Sequence, residues 1–291
     1  MAAVVDRETF ALPRAVAPDV EVFAVGDIHG RSDLLQALLD EAASEPKRRE
    51  RRVIVFLGDL VDRGPDSLGA IDLTIGAGER IHADDAIALM GNHEAMMRLV
   101  LDSRTPGEDA IDALATWLHN GGAATIRQFA GLDAPPDDVE ELLAHIRAAL
   151  PVRVLRWLES LRPHWRSQDL LFVHAGVNPD IALDGFLETP WNEPLAELEE
   201  DHHWAWVRWP FLEASPGPGG FSGLFVVHGH TPNDARPKPS HADQIRRFRL
   251  NLDAGSGLTG QAKMAVIRGD QATVLTALGP TNRMLNLKSL R

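Results

Sequence analysis

The fold of this chain is decided by one stretch, Val53-Ile54-Val55-Phe56-Leu57-Gly58-Asp59-Leu60-Val61-Asp62-Arg63-Gly64. Its first five residues are apolar and largely β-branched, which predicts a strand buried on both faces of a parallel sheet. Gly58 removes the Cβ that would keep a ligand or a second strand away, and Asp59 places a carboxylate at the carboxyl end of the strand. Because open α/β sheets bind their ligands at that edge, we expect the functional site there.

Four other apolar runs end in the same way, with Asp, Asn or His at the end of the run or one glycine beyond it. Two of them flank the first, Val22-Phe23-Ala24-Val25-Gly26-Asp27-Ile28-His29-Gly30 and Ile87-Ala88-Leu89-Met90-Gly91-Asn92-His93-Glu94. The other two lie further along, Leu170-Leu171-Phe172-Val173-His174-Ala175-Gly176 and Leu224-Phe225-Val226-Val227-His228-Gly229-His230-Thr231. A single Gly-Asp after a strand is usually only a turn. Five such strand ends together predict a metal site.

The remaining pattern predicts an α/β fold with strands and helices in β-α-β-α order at the start. Helices are predicted over 32–42 and 66–78, the second closed by Gly76 and Gly78, and the basic run 47–52 is interpreted as a solvated loop. Five helices between 94 and 161 predict a helical insert at about 95–165. Strands over 248–253, 262–268 and 272–277 predict an antiparallel finish to the sheet. We expect a single domain, residues 1–291.

Three segments between these elements leave their role open. The insert contains Trp117-Leu118-His119-Asn120-Gly121-Gly122, which either lines a substrate cleft or only closes a helix. The segment from Phe186 to Gly220, which contains the Trp-rich segment 191–209, is long and weakly patterned, which is typical of a lid or a mobile loop. Within it, Arg208 stands among tryptophans, a setting that suits a guanidinium kept for an anion as well as an ordinary surface ion pair. Arg236-Pro237-Lys238-Pro239 is predicted to be a loop.

Composition excludes several classes of protein. The chain has 291 residues, of which 44% are apolar, a formal net charge of −13 and no cysteine. This acidity disfavours a nucleic-acid partner, and the lack of cysteine excludes disulfides, thiolate ligands and cysteine nucleophiles. The first residues lack the apolar core of a signal peptide, and no run approaches the roughly 20 apolar residues of a membrane span. We therefore expect a cytoplasmic protein without a membrane partner.

The residues at the strand ends form a ligand set of Asp, Asn and neutral His, which suits Mn²⁺, Fe²⁺, Zn²⁺ or Mg²⁺. Asp27 and His29 occupy alternate positions of an extended segment, so both can serve one ion. Asp59 is the natural bridge to a second ion, because its two oxygens can each bind a different metal. The second ion would be completed by Asn92, His174 and one histidine of His228-Gly229-His230.

Three of these motifs resemble the signature motifs of the phosphoprotein phosphatase family, a branch of the calcineurin-like metallophosphoesterases: Gly26-Asp27-Ile28-His29-Gly30, Gly58-Asp59-Leu60-Val61-Asp62-Arg63-Gly64 and Gly91-Asn92-His93-Glu94. His174-Ala175-Gly176 and Gly229-His230-Thr231 match its later metal motifs. The resemblance extends from Gly26 to about Gly257. It implies a sandwich of two mixed β-sheets flanked by helices, and a centre of two divalent ions, with Mn²⁺ favoured over Fe, Zn or Mg. It places Asp27, His29 and Asp59 on one ion, and Asp59, Asn92, His174 and His230 on the other.

The resemblance also implies a role for the residues around the metals. A metal-bridging hydroxide would attack phosphorus, and His93 would protonate the leaving oxygen while Asp62 orients its ring. Arg63 and Arg208 would grip phosphate oxygens, with Asn92 also at the phosphate. His228 is expected to have a packing role, since His230 already supplies the family histidine.

These features predict a phosphomonoester hydrolase whose substrate is a phosphoprotein or a small phosphoester. A serine/threonine protein phosphatase of bacterial type is the first hypothesis, because Asp62, Arg63 and Glu94 have the form found in protein phosphatases. The alternative is a symmetrical dinucleoside-tetraphosphate hydrolase. A nuclease is disfavoured by the acidic charge, and a non-catalytic metal-binding module by the presence of both the acid and the phosphate-binding arginine.

Overall fold

The computed structural model describes residues 1–131, 138–232 and 240–281. The predicted loop Arg236-Pro237-Lys238-Pro239 lies outside these residues. The strands, in chain order, are β1 (Ala3–Ala11), β2 (Val20–Val25), β3 (Arg51–Phe56), β4 (Asp85–Ala88), β5 (His164–Ser167), β6 (Leu170–Val173), β7 (Phe225–His228), β8 (Arg249–Asn251), β9 (Gln261–Arg268) and β10 (Gln271–Leu278). They form two mixed sheets flanked by helices, as predicted.

The first sheet has six strands in the order β1-β10-β9-β2-β3-β4. Strands β2, β3 and β4 are parallel, and the register pairs Ala24 with Val55 and Val55 with Ile87. All residues of β2 are buried because both faces of the strand are covered. The second sheet has four strands in the order β5-β6-β7-β8, with β6, β7 and β8 parallel.

The helices are α1 (Ser32–Ser44), α2 (Ser67–Arg80), α3 (Asn92–Leu101), α4 (Gly107–His119), α5 (Ala123–Ala130), α6 (Val139–Ala149), α7 (Val152–Ser160), α8 (Leu183–Leu187), α9 (His241–Arg246) and α10 (Ser256–Thr259). Short 3-10 helices span Glu200–His202 and Gly217–Gly219. The predicted helical insert corresponds to α3 through α7, between β4 and β5. Among the described residues, no helix has the length and apolar content needed to cross a bilayer.

Three predictions about the fold are wrong. Residues 248–253 do not begin an antiparallel finish, because β8 pairs parallel with β7 in the second sheet. Gly76 and Gly78 do not close α2, which continues to Arg80. The run 47–52 is not wholly a solvated loop, since β3 begins at Arg51 and Arg52 is only 2% exposed.

Arg52 is buried because it belongs to an ion cluster at the amino ends of the central strands. Its Nε donates to the carboxylate of Glu21 at 2.7 Å, and its terminal nitrogens donate to the main-chain oxygens of Ile81 and Glu45. Arg268 donates to the second oxygen of Glu21 at 2.8 Å. Each charge in the cluster is therefore paired or hydrogen-bonded, as burial of a charge requires.

Candidate active site

The side chains that follow β2, β3, β6 and β7 meet the first turn of α3 at the carboxyl ends of the strands. All six predicted ligands lie here and are at most 7% exposed: Asp27, His29, Asp59, Asn92, His174 and His230. The carboxylate of Asp59 lies between two rings, with Oδ2 3.6 Å from Nε2 of His29 and Oδ1 3.3 Å from Nε2 of His174. The two oxygens of one carboxylate thus face different histidines, which is the geometry that a bridging ligand needs.

The orientation of three histidines is set by the main chain. Each ring donates one N–H to a carbonyl oxygen: His29 Nδ1 to Val61 at 3.0 Å, His174 Nδ1 to Leu57 at 2.9 Å and His230 Nε2 to Trp206 at 3.2 Å. A carbonyl oxygen only accepts, so the proton of each neutral ring is used there. The other ring nitrogen then presents a lone pair to the centre, as in histidines that bind metal ions.

The donor atoms around Asn92 fit a cation. Oδ1 of Asn92 lies 3.0 Å from Nδ1 of His230 and 3.2 Å from Nε2 of His174, and all three atoms carry lone pairs without a proton to share. Such contacts repel unless a cation lies among them. The ligand atoms of Asp59, His174 and His230 lie within 4.8 Å of one another, and so do those of His29, Asp59 and His93.

The charges of the site are adjusted by burial and by their neighbours. Burial and the charges of Asp253 and Asp59 raise the pKa of Asp27 well above its usual value. Burial also raises the pKa of Asp253, to about 6. For Asp59 burial acts in the same direction, but the surrounding histidines outweigh it and lower the pKa. Burial and the charge of His93 hold the pKa of His29 well below its usual value. Neutral imidazoles and an ionised carboxylate are the forms that bind a cation.

The backbone of the site is strained. Five of its residues that are not glycine have a positive φ: His29 at 47°, Asp59 at 53°, Asp62 at 73°, Arg63 at 64° and His230 at 69°. Each such residue costs roughly 1–3 kcal/mol and persists only where surrounding contacts enforce it. One of these contacts is close packing between strand ends, since a Cβ on Gly91 would lie 2.2 Å from Oδ1 of Asp59.

Next to the ligands lies a buried pair of an imidazole and a carboxylate. Nδ1 of His93 and Oδ2 of Asp62 are 2.6 Å apart, and both side chains are fully buried. Burial acts to lower the pKa of His93, but the charges of Asp59 and Asp62 outweigh it and raise the pKa. The guanidinium of Arg63 donates to Nε2 of His93 at 2.8 Å and to Nε2 of His29 at 2.7 Å, so its fork points into the centre.

Arg208 is ion-paired outside the group of ligand side chains. It donates to Glu200 at 3.1 Å and its side chain is 37% exposed. After burial, its charge is among the causes that lower the pKa of His174 and His230, so its electric field reaches these two rings. The Trp-rich segment therefore contributes Arg208 and the carbonyl oxygen of Trp206 to the surroundings of the site.

His228 is separate from the cluster of ligand atoms. Its ring packs edge-on against Phe211 and its Nδ1 donates to the main-chain oxygen of Gly229. Burial, aided by the charge of Arg249, lowers its pKa to about 3, so the ring stays neutral. These contacts agree with the packing role expected from the sequence.

Several residues of the site were not assigned by the sequence pattern. Glu94 accepts hydrogen bonds from the N–H groups of Asp59, Leu60 and Gly91, and so ties two strand ends together. Trp117 and Thr125 contact the carboxylate of Asp62 from the insert. Glu94 was noted in the sequence only as part of a motif, and Trp117 only as part of the segment 117–122. The segment had been considered as a cleft lining or a helix end, and Trp117 instead donates a hydrogen bond to Asp62.

The chain was compared with models of known protein families. The family model for calcineurin-like phosphoesterases matches residues 20–254, which is most of the chain. This chain belongs to the calcineurin-like phosphoesterase family. Members of the family are hydrolases that use divalent metal ions, so the chain is a metallophosphoesterase with histidine and aspartate groups able to hold such ions.

The curated relatives of the chain include proteins of two names. A protein of Aeromonas hydrophila named bis(5'-nucleosyl)-tetraphosphatase, symmetrical, is 40% identical over 157 residues, 53% of this chain and 44% of the relative. One of the same name from Acidovorax sp. is 30% identical over 228 residues, 77% of this chain and 62% of the relative. Serine/threonine-protein phosphatase 1 of Salmonella typhimurium is 38% identical over 101 residues, 35% of this chain and 38% of the relative. Each match spans less than two thirds of the relative's length.

Among solved structures, a cold-active protein tyrosine phosphatase matches with a TM-score of 0.51 at 17% identity, over 87% of this chain and 78% of the other. This likeness concerns the fold alone.

Proposed function

We propose that the chain hydrolyses phosphoesters with two divalent cations, one held by Asp27, His29 and Asp59, the other by Asp59, Asn92, His174 and His230. The observation that carries this assignment is the approach of Oδ1 of Asn92 to Nδ1 of His230 at 3.0 Å and to Nε2 of His174 at 3.2 Å, in rings whose other nitrogen faces a main-chain carbonyl oxygen. When bound, the cations supply an activated water and neutralise phosphoryl charge. Mn²⁺ is the first ion to test, because the ligands are oxygen and imidazole nitrogen without thiolate.

The chain's own residues would then bind phosphate and move a proton. Arg63 is already directed into the centre, and a phosphate oxygen would attract its guanidinium away from Nε2 of His93. Nε2 would then be free to carry a proton, while Nδ1 stays on Asp62. His93 would give that proton to the leaving oxygen, and Asp62 would stabilise the charged ring. Arg208 would bind a second phosphate oxygen.

For the substrate we propose a symmetrical dinucleoside tetraphosphate. Relatives with that name align over 53% and 77% of this chain, whereas the serine/threonine phosphatase aligns over 35%. This reverses the order expected from the sequence, in which the protein phosphatase came first. The motifs at the strand ends bind the metal ions and the phosphoryl group, which are common to both kinds of substrate. The motifs therefore do not distinguish a protein phosphatase from a dinucleoside-tetraphosphate hydrolase.

A phosphorylated serine or threonine is the second candidate. The observation in its favour is the buried His93–Asp62 pair, with 2.6 Å between Nδ1 and Oδ2. A serine alkoxide is strongly basic and needs a general acid, whereas the nucleoside diphosphate released from a tetraphosphate leaves with little help. The Salmonella relative bears the corresponding name.

The experiment is a direct comparison of turnover. Diadenosine tetraphosphate and a set of phosphoserine and phosphothreonine peptides are incubated with Mn²⁺-loaded protein, and kcat/KM is measured for each. We expect diadenosine tetraphosphate to be cleaved faster, with ADP as the sole product, since symmetrical cleavage gives two equal halves. Faster release of phosphate from the peptides would favour the second candidate. Asp59→Asn serves as the inactive control, and turnover of neither substrate class would refute the proposal.

A further inference from the structure

The carboxylate of Asp62 receives more hydrogen bonds than its partnership with His93 requires. Besides Nδ1 of His93, Oδ2 accepts the indole N–H of Trp117 at 2.7 Å. Oδ1 accepts the hydroxyl of Thr125 at 2.5 Å. Asp62, His93, Trp117 and Thr125 are all fully buried. Trp117 belongs to α4 and Thr125 to α5, so both donors come from the helical insert.

The main chain of Asp62 is held by the same part of the insert. Its N–H donates to the hydroxyl oxygens of Thr125 and Ser67, both at 3.0 Å, and these two hydroxyls are 2.8 Å apart. The Thr125 proton is used on Oδ1 of Asp62, so Ser67 donates to Thr125. Side chain and main chain of Asp62 are thus fixed by one connected network, and a satisfied buried network defines a single arrangement.

The insert also holds the next residue of this strained turn. The N–H of Arg63 donates to the main-chain oxygen of Gly121 at 3.3 Å, and its Nε donates to that of Asn120 at 3.3 Å. Gly121 has a φ of 101°, and a Cβ on it would lie 2.8 Å from Cγ of Arg63. Close approach between the insert and the turn therefore requires glycine here.

We propose that Trp117 and Thr125 are positioning residues for the acid pair of Asp62 and His93, through which the helical insert becomes part of the active site. Two donors in addition to His93 occupy the remaining acceptor positions of the Asp62 carboxylate. They also hold the carboxylate in the rotamer that faces Nδ1. These contacts favour the prediction that the insert belongs to the same domain as the strands that carry the site.

This inference rests on the proposed phosphoester hydrolysis, in which His93 protonates the leaving oxygen. The contribution of a general acid grows with the basicity of that oxygen. Phenyl phosphate and p-nitrophenyl phosphate have nearly the same shape, but phenolate is the more basic leaving group. A defect that acts through His93 therefore affects the first ester more than the second.

The activity test uses Trp117→Phe and Thr125→Val, each of which removes a donor and keeps most of the volume. We expect kcat on phenyl phosphate to fall roughly tenfold, the lower end of what one hydrogen bond to a charged group contributes, and kcat on p-nitrophenyl phosphate to change less than about twofold. Trp157→Phe is the matched control, because the N–H of Trp157 is buried without a hydrogen-bond partner.

In an Asp62→Ala background, Trp117→Phe should not lower kcat on phenyl phosphate any further, because the carboxylate that Trp117 positions is already absent. Equal losses on both esters, or a full additional loss in that background, would mean that Trp117 acts only in packing.

A spectroscopic test is independent of activity. The chain has seven tryptophans, and the ¹⁵N-labelled indole signal of Trp117 is identified by its absence in Trp117→Phe. We expect Asp62→Asn to shift this signal, since an N–H that donates to a carboxylate differs from one that donates to an amide, and to leave the Trp157 signal in place. An unchanged Trp117 signal would overturn the inference. If no ester were hydrolysed, the proposed function would fail, and this signal would still decide whether the network exists.

Discussion

The two ends of strands β2 and β3 bury charges in opposite arrangements. At the amino ends, Glu21 receives Arg52 at 2.7 Å and Arg268 at 2.8 Å. Burial acts to raise the pKa of Glu21, but hydrogen bonds from Arg268 and Arg52 lower it overall. At the carboxyl ends, Asp27 has two carboxylates, Asp253 and Asp59, among its charged neighbours, and its pKa is raised well above the usual value.

The side chains of Glu21 and Asp27 are both inaccessible to solvent, and their charged partners are of opposite sign. A buried charge with its counter-charge belongs to the stability of the fold. Carboxylates and lone pairs that face one another, on a backbone with several positive φ values, cost free energy unless a cation binds. Strain and perturbed pKa values of this kind gather where a protein acts. The comparison predicts that changes at the carboxyl ends affect metal and activity, whereas changes at the amino ends affect stability.

The largest expected effect is the loss of the bridge. Asp59→Asn replaces two anionic oxygens by one neutral oxygen, so neither ion keeps its full ligand set. We expect the metal content to fall from two ions to fewer than one per chain, and kcat/KM to fall on the order of 10⁴-fold, because each cation supplies several kcal/mol of charge stabilisation. Elemental analysis and turnover measure this. Asp180→Asn, at an exposed aspartate, is the control, and an Asp59→Asn protein with two ions and normal activity would contradict the assignment.

The second effect is on stability, at the other end of the strands. Glu21→Gln leaves two guanidinium groups facing a neutral amide. We expect the free energy of unfolding to fall by about 3–5 kcal/mol, as when one partner of a buried ion pair is removed, with kcat nearly unchanged. Urea unfolding of the metal-free protein measures the loss. Glu188→Gln, at an exposed glutamate, should have little effect, and a comparable loss in both variants would refute the distinction between the two ends.

The third effect has the opposite sign. Asp27→Asn removes one of the buried carboxylates and keeps its shape, so the metal-free protein should become more stable by about 1 kcal/mol. The same variant should bind less metal and lose the stabilisation that metal binding gives to the wild-type protein. Thermal unfolding in the presence of a chelator measures the change in stability of the metal-free protein, and unfolding with Mn²⁺ measures the loss of stabilisation by metal binding. If the metal-free variant were less stable than the metal-free wild-type protein, the carboxylate of Asp27 would have favourable partners in the fold, as Glu21 has in Arg52 and Arg268.

The smallest effect concerns pH. The folded pKa of Glu21 lies below its ordinary value of 4.5, so its stabilisation is fully present above about pH 4.5 and is lost as pH falls through the folded pKa. The difference in Tm between the wild-type protein and Glu21→Gln should therefore narrow below that pH. A difference that stays constant down to the folded pKa would show that the carboxylate charge contributes nothing.

Much of the fold could be predicted because its strands are continuous apolar runs. The runs before Asp27, Asp59 and His174 became β2, β3 and β6, since burial on both faces leaves a pattern within a few residues. Strand β1 was missed because it is mostly exposed and carries Asp6, Arg7 and Glu8, and it exists through its pairing with β10. The place of β8 in the second sheet likewise depends on a distant partner, β7.

By itself the sequence determined which side chains meet at the carboxyl ends of the strands, because each stands directly after its strand and is carried there by local structure. Only the tertiary structure determined which distant side chains hydrogen-bond to the buried carboxylates at the two ends of the strands. Trp117 and Thr125 reach Asp62 across 55 and 63 positions of the chain, and Arg268 reaches Glu21 across 247. Contacts at such separations depend on how helices and sheets pack, and a pattern within one segment carries no record of that packing.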